Sequence, residues 1–419
     1  MTTVKRILFL VSFFAATAQL FASNGSIYSR FGVGEISSFI SGRTAGMGNA
    51  GLALLTDGYI NSVNPAALGR LTRTQYEGDF QYQGFAMNDG TSSSFLSSGN
   101  VQEAMLAFPV YAEYGMAFAF GITPFSRTAY SVKSKDTQAG QEILQSFDGN
   151  GGLTSAQFGF SLSPLHDLYL GLTTHYLFGT INRRQQLEFT GAQYFVSDET
   201  QSVAMKGFAF TLGAVYSGVD VALGASKEKN LNVAATLFGG SNLSASEQLI
   251  ENYVSSRETT GVRSGTVKIP VGFALGAAYL IPEKAILTGD LRVQSWNDYN
   301  YLGVHPDEIR SSLRVGVGAE FFPTRTIGET FYRQVTYRIG SYMNASYVKV
   351  SNEPINEYFV TGGVGLPIFF IPTSEARLNV SLEYGIRGTT SNGLQKDSIT
   401  RLTISLSGSD TWFVPPEIE

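Results

Sequence analysis

The sequence predicts an all-β fold, a transmembrane antiparallel β-barrel of about 14 strands with an N-terminal hatch segment plugging the lumen. Three observations lead to this prediction. Apolar residues alternate with small or polar residues over many short segments. Beyond the N-terminal region, no apolar run approaches the ~20 residues that a membrane helix needs. Short connections alternate with long ones, as they do in bacterial outer-membrane barrels.

The N-terminal residues predict export. Lys5 and Arg6 precede a short apolar run at residues 7–16. A basic start followed by a run of ~10 apolar residues is typical of a secretory signal peptide, and a membrane anchor would need about twice that length. We therefore expect residues 1–22 to be a signal peptide and the protein to be a multi-pass barrel of the bacterial outer membrane.

The composition excludes several kinds of site. The chain has no cysteine, so it has no disulfide, no thiolate metal site and no lipidated cysteine. Only 15% of the residues are charged, and the net charge of -5 gives no reason to expect nucleic acid as a partner. We expect no cofactor and no metal.

The clearest alternation lies at residues 267–279, where odd positions are apolar and even positions are small or polar. Similar splits occur at residues 312–321 and 377–387. Alternation alone does not decide which face is outside, and a soluble β protein would turn the apolar face inward. The signal peptide, the even number of segments and the alternating connections favour the membrane barrel.

The barrel is expected at residues 73–408, followed by a tail at 409–419. Its segments are predicted at 73–84, 103–111, 113–123, 154–163, 167–180, 203–217, 218–237, 262–281, 285–298, 309–323, 331–345, 356–368, 375–388 and 398–408. Long polar loops are predicted at 85–102, 124–153, 181–202 and 238–261, with short helices possible at 138–147 and 244–254, and a tight turn at Gly218.

Residues 23–72 do not alternate and are rich in glycine, with turn signals at Asp57 and at Asn64-Pro65. A barrel of about 14 strands leaves room for such a segment inside its lumen. The sequence therefore predicts an N-terminal hatch.

The hatch carries a pattern that resembles a known family. A Gly-Ala-rich run with Gly46, Gly48 and Gly51 leads to Asn64-Pro65-Ala66. This pattern resembles the hatch of the FadL/TodX family of outer-membrane transporters of hydrophobic compounds. In the barrel, the run from Ile269-Pro270 through Leu275-Gly276 to Tyr279, followed by Asp290 and Trp296, is similar to a strand-turn-strand of that family.

The resemblance implies a hatch-closed barrel that binds long-chain fatty acids or aromatic hydrocarbons and releases them sideways into the membrane. The family also includes a branch that resembles the PorV shuttle proteins of type IX secretion. The run from Tyr28 to Gly32 and Trp412-Phe413 resemble Bacteroidetes members of the family. The tail departs from the family pattern because the chain does not end on an aromatic residue.

The candidate hatch motif consists of Gly46, Gly48, Gly51, Asn64, Pro65 and Ala66. Asn64 is expected to hold a turn through side-chain hydrogen bonds, while Pro65 restricts φ. The alternative is an ordinary Asn-Pro turn without a special role.

Charged residues at lumen-facing positions are candidates for holding a carboxylate head group. Arginine offers a forked donor to a carboxylate, and Arg292, Arg314 and Arg338 are the ligand candidates. The alternative is that lumen charges pair with one another and stiffen the barrel. The expected lumen charges are Lys268, Asp290, Arg292, Arg314, Glu320, Arg338, Arg377, Glu383, Arg387 and Arg401.

Aromatic residues flanking the strands are expected to form girdles at the membrane interfaces. These residues are Tyr279, Trp296, Tyr299, Tyr301, Tyr337, Tyr342, Tyr347 and Tyr384.

Catalysis is not expected. The chain has three histidines, His166, His175 and His305, and none belongs to a serine or metalloprotease motif.

The function expected from the sequence is transport of a hydrophobic small molecule past the hatch, with an entry groove in loops 85–102 and 124–153. The alternative is a PorV-like component of secretion or surface assembly. The expected partners are a hydrophobic ligand, outer-membrane lipid and lipopolysaccharide, and the barrel-assembly machinery during biogenesis. We expect a monomer.

Overall fold

The structure is a computed structural model that describes residues 25–56, 58–138, 141–189, 197–252, 256–322, 330–371 and 374–412. The predicted signal peptide and most of the predicted tail lie outside the described residues. Within these ranges, no helix is long and apolar enough to cross a membrane.

Fourteen long antiparallel strands in the described part of the chain form one closed barrel. Two of them, the seventh and the eighth, each consist of two consecutive halves. Both halves of the seventh pair with the sixth and with the eighth, whereas only the second half of the eighth pairs with the ninth, and its first half pairs on that side with Asn300–Tyr301. The strands are β1 Thr74–Asn88, β2 Ser93–Tyr111, β3 Met116–Gln138, β4 Gln141–Leu165, β5 Leu168–Phe189, β6 Ser197–Ser217, β7 Leu231–Phe238 with Ser241–Asn252, β8 Arg257–Ile269 with Gly272–Ile281, β9 Ala285–Gln294, β10 Ser312–Phe321, β11 Thr336–Val350, β12 Glu353–Ile371, β13 Ser374–Gly388 and β14 Lys396–Asp410.

Pairing between the last strand and the first closes the barrel. Lys396 of β14 lies opposite Asn88 of β1, and Asp410 lies opposite Thr74. Closure is required in a bilayer because hydrocarbon offers no partner for an unpaired backbone group. The predicted fold class is confirmed.

Side chains alternate between the two faces of the barrel wall. On β10, Val315 and Val317 are exposed on the outside, whereas Arg314 and Glu320 are buried in the lumen. An apolar outer face and a polar inner face are typical of a membrane barrel and opposite to a soluble one.

The alternation changes phase in the middle of β8. Val267 and Ile269 are buried, but Phe273 and Leu275 are exposed. The two halves of β8 are separated at Pro270, which has no N–H to give to a strand ladder. The phase change turns Lys268 outward, so its predicted place in the lumen was wrong.

The strands are longer than the alternation predicts. Most of the predicted loops at 85–102 and 124–153 are strand, and residues 89–92 alone join β1 to β2. The described parts of the predicted helices at 138–147 and 244–254 are also strand. Polar residues are frequent along these extensions, so their alternation is too weak to reveal them, although Leu153, Ala245 and Ile250 are buried on their inner face.

A second boundary was also wrong. Gly218 does not make a tight turn, because a short helix at Val219–Ala222 follows it and β7 begins only at Leu231. The end of the barrel with the turns at 112–115 and 282–284 is called the lower end here, and the end with the turn at 89–92 is called the upper end.

The described residues of the hatch, 25–56 and 58–72, lie inside the lumen. It contains the 3-10 helix Ile27–Arg30, the two-residue strand Glu35–Ile36, the α-helix Gly42–Ala45 and the 3-10 helix Pro65–Arg70. The α-helix contacts β12, β13 and β14, whereas the second 3-10 helix contacts β2 to β6 on the other side. The hatch therefore spans the lumen from wall to wall.

An apolar cluster fills the upper part of the lumen. Trp296 and Tyr299, from the long connection between β9 and β10, are buried there with Tyr28 and Val33 of the hatch and with Tyr347 of β11. The predicted aromatic girdle was therefore wrong for Trp296, Tyr299 and Tyr347. Tyr342 is also buried, while Tyr279, Tyr337 and Tyr384 are exposed.

Candidate functional site

Asn64 lies at the N-terminus of the 3-10 helix Pro65–Arg70 and is fully buried. Its Oδ1 accepts from the Ala66 amide at 3.1 Å, and its Nδ2 donates to the Leu52 carbonyl at 2.9 Å. Asn64 therefore caps the helix and also ties it to the Gly-rich half of the hatch.

The residues after Asn64 pack against glycines of the wall. A Cβ added at Gly171 would lie under 3.0 Å from backbone atoms of Pro65 and Ala66, and one at Gly213 would meet Asn64 Oδ1. These two glycines occupy adjacent strands, β5 and β6, directly opposite each other. The Asn-Pro-Ala motif thus fits a side-chain-free patch of the barrel wall.

The Gly-rich run of the hatch has its own glycine patch on the opposite wall. A Cβ at Gly318 or Gly340 would lie under 3.0 Å from backbone atoms of Met47, and Gly340 also faces Gly48. Gly46 similarly approaches Gly363 of β12. Gly48 has φ +65°, a conformation that favours glycine.

Carboxylates of the wall accept hydrogen bonds from hatch amides. The Gly51 amide donates to Asp290 Oδ2 at 2.8 Å, and the Leu52 amide donates to the same oxygen at 3.0 Å. The Ile60 amide donates to Glu77 at 2.9 Å. Sequence reasoning missed Glu77, although its place two residues from another acid in a predicted strand was an available signal.

A buried ion cluster joins the hatch to β10 and β11. Arg43 makes a two-pronged contact with Glu320, at 2.8 Å from Nε and 2.6 Å from Nη2. Arg338 Nε donates to the same carboxylate at 2.7 Å, and its Nη1 donates to Asn379 at 2.9 Å. Arg338, a ligand candidate from the sequence, is therefore engaged in the wall.

Arg292 and Arg314 differ from Arg338 because both line a cavity of about 290 Å³ between the hatch and the apolar cluster. Arg314 stacks on the Tyr342 ring at 3.8 Å from its centroid, and its Nη2 has no hydrogen-bond partner. Arg292 lies 3.9 Å from Asp290 and has two nitrogens without hydrogen bonds. These two arginines thus have N–H donors without hydrogen-bond partners beside the cavity.

Glu35 binds the upper part of the hatch to the wall through two ion pairs. Its carboxylate lies 3.2 Å from Arg387 and 3.1 Å from Arg401. Burial alone would raise the pKa of Glu35, but the two guanidinium groups hold it below its usual range. The carboxylate is therefore charged at neutral pH, and its ion pairs are lost only as the pH falls through this lowered pKa.

His175 has a serine beside it that the sequence did not reveal. Its Nδ1 lies 3.1 Å from Ser155 Oγ, and its Nε2 lies 2.8 Å from Thr211 Oγ1. Both ring nitrogens are thus used by hydroxyl groups, and no carboxylate of the described residues hydrogen-bonds to the ring. The arrangement lacks the acid that orients the base in a serine hydrolase triad.

The fold is similar to that of solved hydrophobic-compound channels. A FadL homologue of Pseudomonas aeruginosa matches 90% of this chain and 99% of its own at 12% identity, with a TM-score of 0.59. The toluene transporter TbuX of Ralstonia pickettii matches 89% and 99% at 14% identity, with a TM-score of 0.58. The toluene transporter TodX of Pseudomonas putida matches 90% and 99% at 14% identity, with a TM-score of 0.56.

These matches confirm the predicted FadL/TodX resemblance as a likeness of fold. No curated protein matches the chain. A family model, BamG, matches residues 3–419. The chain belongs to the BamG family. This chain thus combines a FadL-like fold with membership of the BamG family.

Proposed function

We propose that this chain is a component of the machinery that assembles β-barrels in the outer membrane. The observation that carries the proposal is the match to BamG along residues 3–419, because the name of that family points to barrel assembly. On this proposal, the barrel acts as a closed body in the outer membrane that supports other proteins from its surface, in contact with lipid and lipopolysaccharide.

The geometry of the lumen supports a closed barrel. The hatch is tied to the wall by the ion cluster of Arg43, Glu320 and Arg338, and the apolar cluster lies above it. Removing one partner of a buried ion pair costs about 3–5 kcal/mol. A route for solutes would have to displace both layers, whereas a supporting role would require neither to move.

Copurification tests the assembly proposal. The tagged chain is extracted in mild detergent from its native membrane and purified without a cross-linker. We expect the central barrel-assembly subunit to copurify in a constant ratio. Recovery of the chain alone, from membranes in which the assembly machinery stays intact, would contradict the proposal.

Depletion gives a second test with a different readout. We expect loss of the chain to lower the amounts of many unrelated outer-membrane barrels, measured by quantitative proteomics before growth slows. Normal barrel levels combined with a specific defect in uptake of apolar compounds would contradict assembly and favour transport.

Transport of a hydrophobic small molecule is the second candidate function, and the unpaired donors of Arg292 and Arg314 beside the 290 Å³ cavity favour it. An amphipathic acid would place its carboxylate on these donors. The test is uptake of labelled fatty acids and alkylbenzenes into liposomes that hold the refolded chain. On this function, the double variant Arg292→Ala/Arg314→Ala loses fatty-acid uptake, while the control Lys268→Ala, at an exposed position, retains it.

A further inference from the structure

Two exposed lysines lie on the outer face of the barrel at the upper edge of its apolar band. On β6, the outward positions from Phe208 to Tyr216 are apolar, and the next outward position above them but one is Ala204, beyond Lys206. On β8, Phe273 is exposed on the outer face, and the first polar outward side chain above it is Lys268. The outer wall thus changes from apolar to cationic at the same boundary on both strands.

This boundary lies at the level of the lipid head groups. The outward run from Phe208 to Tyr216 covers about 20 Å along a tilted strand, close to the ~25 Å height of the apolar band in such barrels. Residues 197–205 of β6 continue above the boundary, whereas the turns at 112–115 and 282–284 close the lower end. Outer-membrane barrels have short turns on the periplasmic side and longer connections outside. The two lysines therefore lie in the outer leaflet.

The register of β7 brings the two lysines close together. Lys206 lies opposite Ser244 of β7, and Lys268 lies opposite Asn242. The lysines are thus two strands and two residues apart, which places their Cα atoms about 12 Å from each other. Asn242 and Ser244 are exposed on the same face and offer an amide and a hydroxyl group between the two cations.

The chain itself does not neutralise these two charges. Among the described residues, neither ammonium group forms an ion pair with a carboxylate. Arg184, which lies higher on this wall, is instead paired with Asp198, whose Oδ1 is 2.7 Å from its Nε. Glu247 of β7 accepts hydrogen bonds from Gln201 at 2.9 Å and from Tyr301 at 2.6 Å. The positive charge of the two lysines is therefore available to an external anion.

A phosphorylated glycolipid has the chemistry that fits this surface. Lysine binds phosphate as a point charge on a flexible stem, and basic side chains at head-group level attract anionic lipids. Two cations about 12 Å apart suit a wide head group with more than one phosphate. Sugar hydroxyl groups can meet Asn242 and Ser244, while acyl chains cover exposed rings such as Phe208.

We propose that Lys206 and Lys268, with Asn242 and Ser244 between them, bind the phosphorylated head group of a glycolipid of the lipopolysaccharide class in the outer leaflet. The site depends neither on the assembly proposal nor on transport, because it lies on the outer wall and shares no residue with the lumen. Uptake and ion conductance through the lumen are accordingly not expected to depend on it.

Glycolipid binding to the purified full chain in a maltoside detergent tests the site. The probe is a fluorescent diphosphorylated lipid A, and the comparison is the same lipid after removal of both phosphates. We expect saturable fluorescence anisotropy with the phosphorylated probe and at least tenfold weaker binding of the dephosphorylated one. Inorganic phosphate at millimolar concentration is not expected to displace the probe, because the sugar and the acyl chains also contact the wall.

Paired variants place the binding at the two lysines. Lys206→Gln/Lys268→Gln removes both charges and is expected to weaken binding of the phosphorylated probe at least tenfold. Lys206→Arg/Lys268→Arg retains the charges and is expected to bind the probe as the parent does. Lys396→Gln is the matched control, because Lys396 is an exposed lysine at the upper end of β14, on another part of the wall. Migration of the unheated chain in a gel verifies that each variant is folded.

Equal binding of the probe with and without its phosphates would overturn the proposal, as would undiminished binding to folded Lys206→Gln/Lys268→Gln. An equal loss of binding in the Lys396→Gln control would overturn it too, because it would show a general effect of surface charge. Displacement of the probe by inorganic phosphate would make the lysine pair a site for free phosphate and not for a lipid head group.

Discussion

Asn64 illustrates how much of the hatch depends on one side chain. Its side-chain Oδ1 accepts from the Ala66 amide and caps the helix, and its side-chain Nδ2 donates to the Leu52 carbonyl. Its backbone amide donates to Asn61 Oδ1 at 3.0 Å. No water can replace these bonds at a fully buried position without first opening the hatch. The motif is therefore a structural joint whose strength can be measured.

Asn64→Ala is expected to loosen the hatch. It leaves the Ala66 amide and the Leu52 carbonyl without their partner, which costs about 1–3 kcal/mol. Limited proteolysis of the folded barrel should therefore cleave the hatch faster than in the parent chain. Asn88→Ala, at an exposed position at the upper end of β1, is the control. Equal protease sensitivity of the hatch in all three proteins would show that Asn64 does not hold it.

Glu103 is a second residue with a measurable effect, in the opposite direction. It is fully buried opposite Asp79, and neither of its carboxylate oxygens has a hydrogen-bond partner. The chain must either bury this charge or give it a proton at neutral pH, and both are unfavourable.

Glu103→Gln is therefore expected to stabilise the barrel, raising the free energy of unfolding by about 1 kcal/mol or more. Urea unfolding in detergent at neutral pH measures the change. Glu113→Gln, at an exposed lower turn, is the control and should be neutral. A loss of stability in Glu103→Gln would mean that the carboxylate has a favourable role at this position.

At the scale of elements, the hatch contacts the wall at glycines of the strands. The run around Gly48 faces Gly318 and Gly340, and the Asn-Pro-Ala turn faces Gly171 and Gly213. A glycine in the wall lets the hatch backbone approach more closely than any side chain would allow. The position of the hatch is thus set by shape on two opposite walls.

Gly340→Ala tests this fit. The added Cβ would lie under 3.0 Å from backbone atoms of Met47 and Gly48, and overpacking of this kind costs about 1–3 kcal/mol. We expect lower stability and faster proteolysis of the hatch. Gly78→Ala is the matched control, because nothing lies within 4 Å of its added Cβ. Equal effects of the two substitutions would show that close packing does not position the hatch.

At the scale of the whole molecule, two layers close the lumen: the hatch and the apolar cluster. The hatch spans the lumen, and the apolar cluster with Trp296 and Tyr347 closes the upper end above it. The two layers leave a cavity of about 290 Å³ between them. The molecule has the strand number of a channel, but its lumen is plugged.

The intact chain is accordingly expected to show no stepwise ion conductance in a planar lipid bilayer. The double variant Arg43→Ala/Glu320→Ala removes the ion cluster that ties the hatch to the wall and should produce intermittent current steps. Lys268→Ala is the control and should stay silent. Steady conductance of the parent chain would show that the two layers do not close the barrel.

The fold class, the number of strands and the hatch could be predicted from the sequence because a bilayer imposes strong rules. Alternation along strands such as β10 and β13 follows from lipid on one side and a polar lumen on the other. The Gly-rich run and Asn64-Pro65 show where that pattern is absent. The lumen-facing positions of Arg292 and Arg314 could be predicted because inward positions follow from the same alternation.

Other features depended on the tertiary structure. The strand extensions carry too many polar residues for their alternation to be recognised, so only pairing with neighbouring strands reveals them. The phase change at Pro270 turned Lys268 to the outer face. Trp296 is not part of the predicted girdle because the connection between β9 and β10 folds into the lumen. Tyr347 is buried because Trp296 stacks on it there. The sequence determined the barrel and its plug through solvent preference, which each residue carries alone, whereas contacts between distant residues decided the partners of each charge.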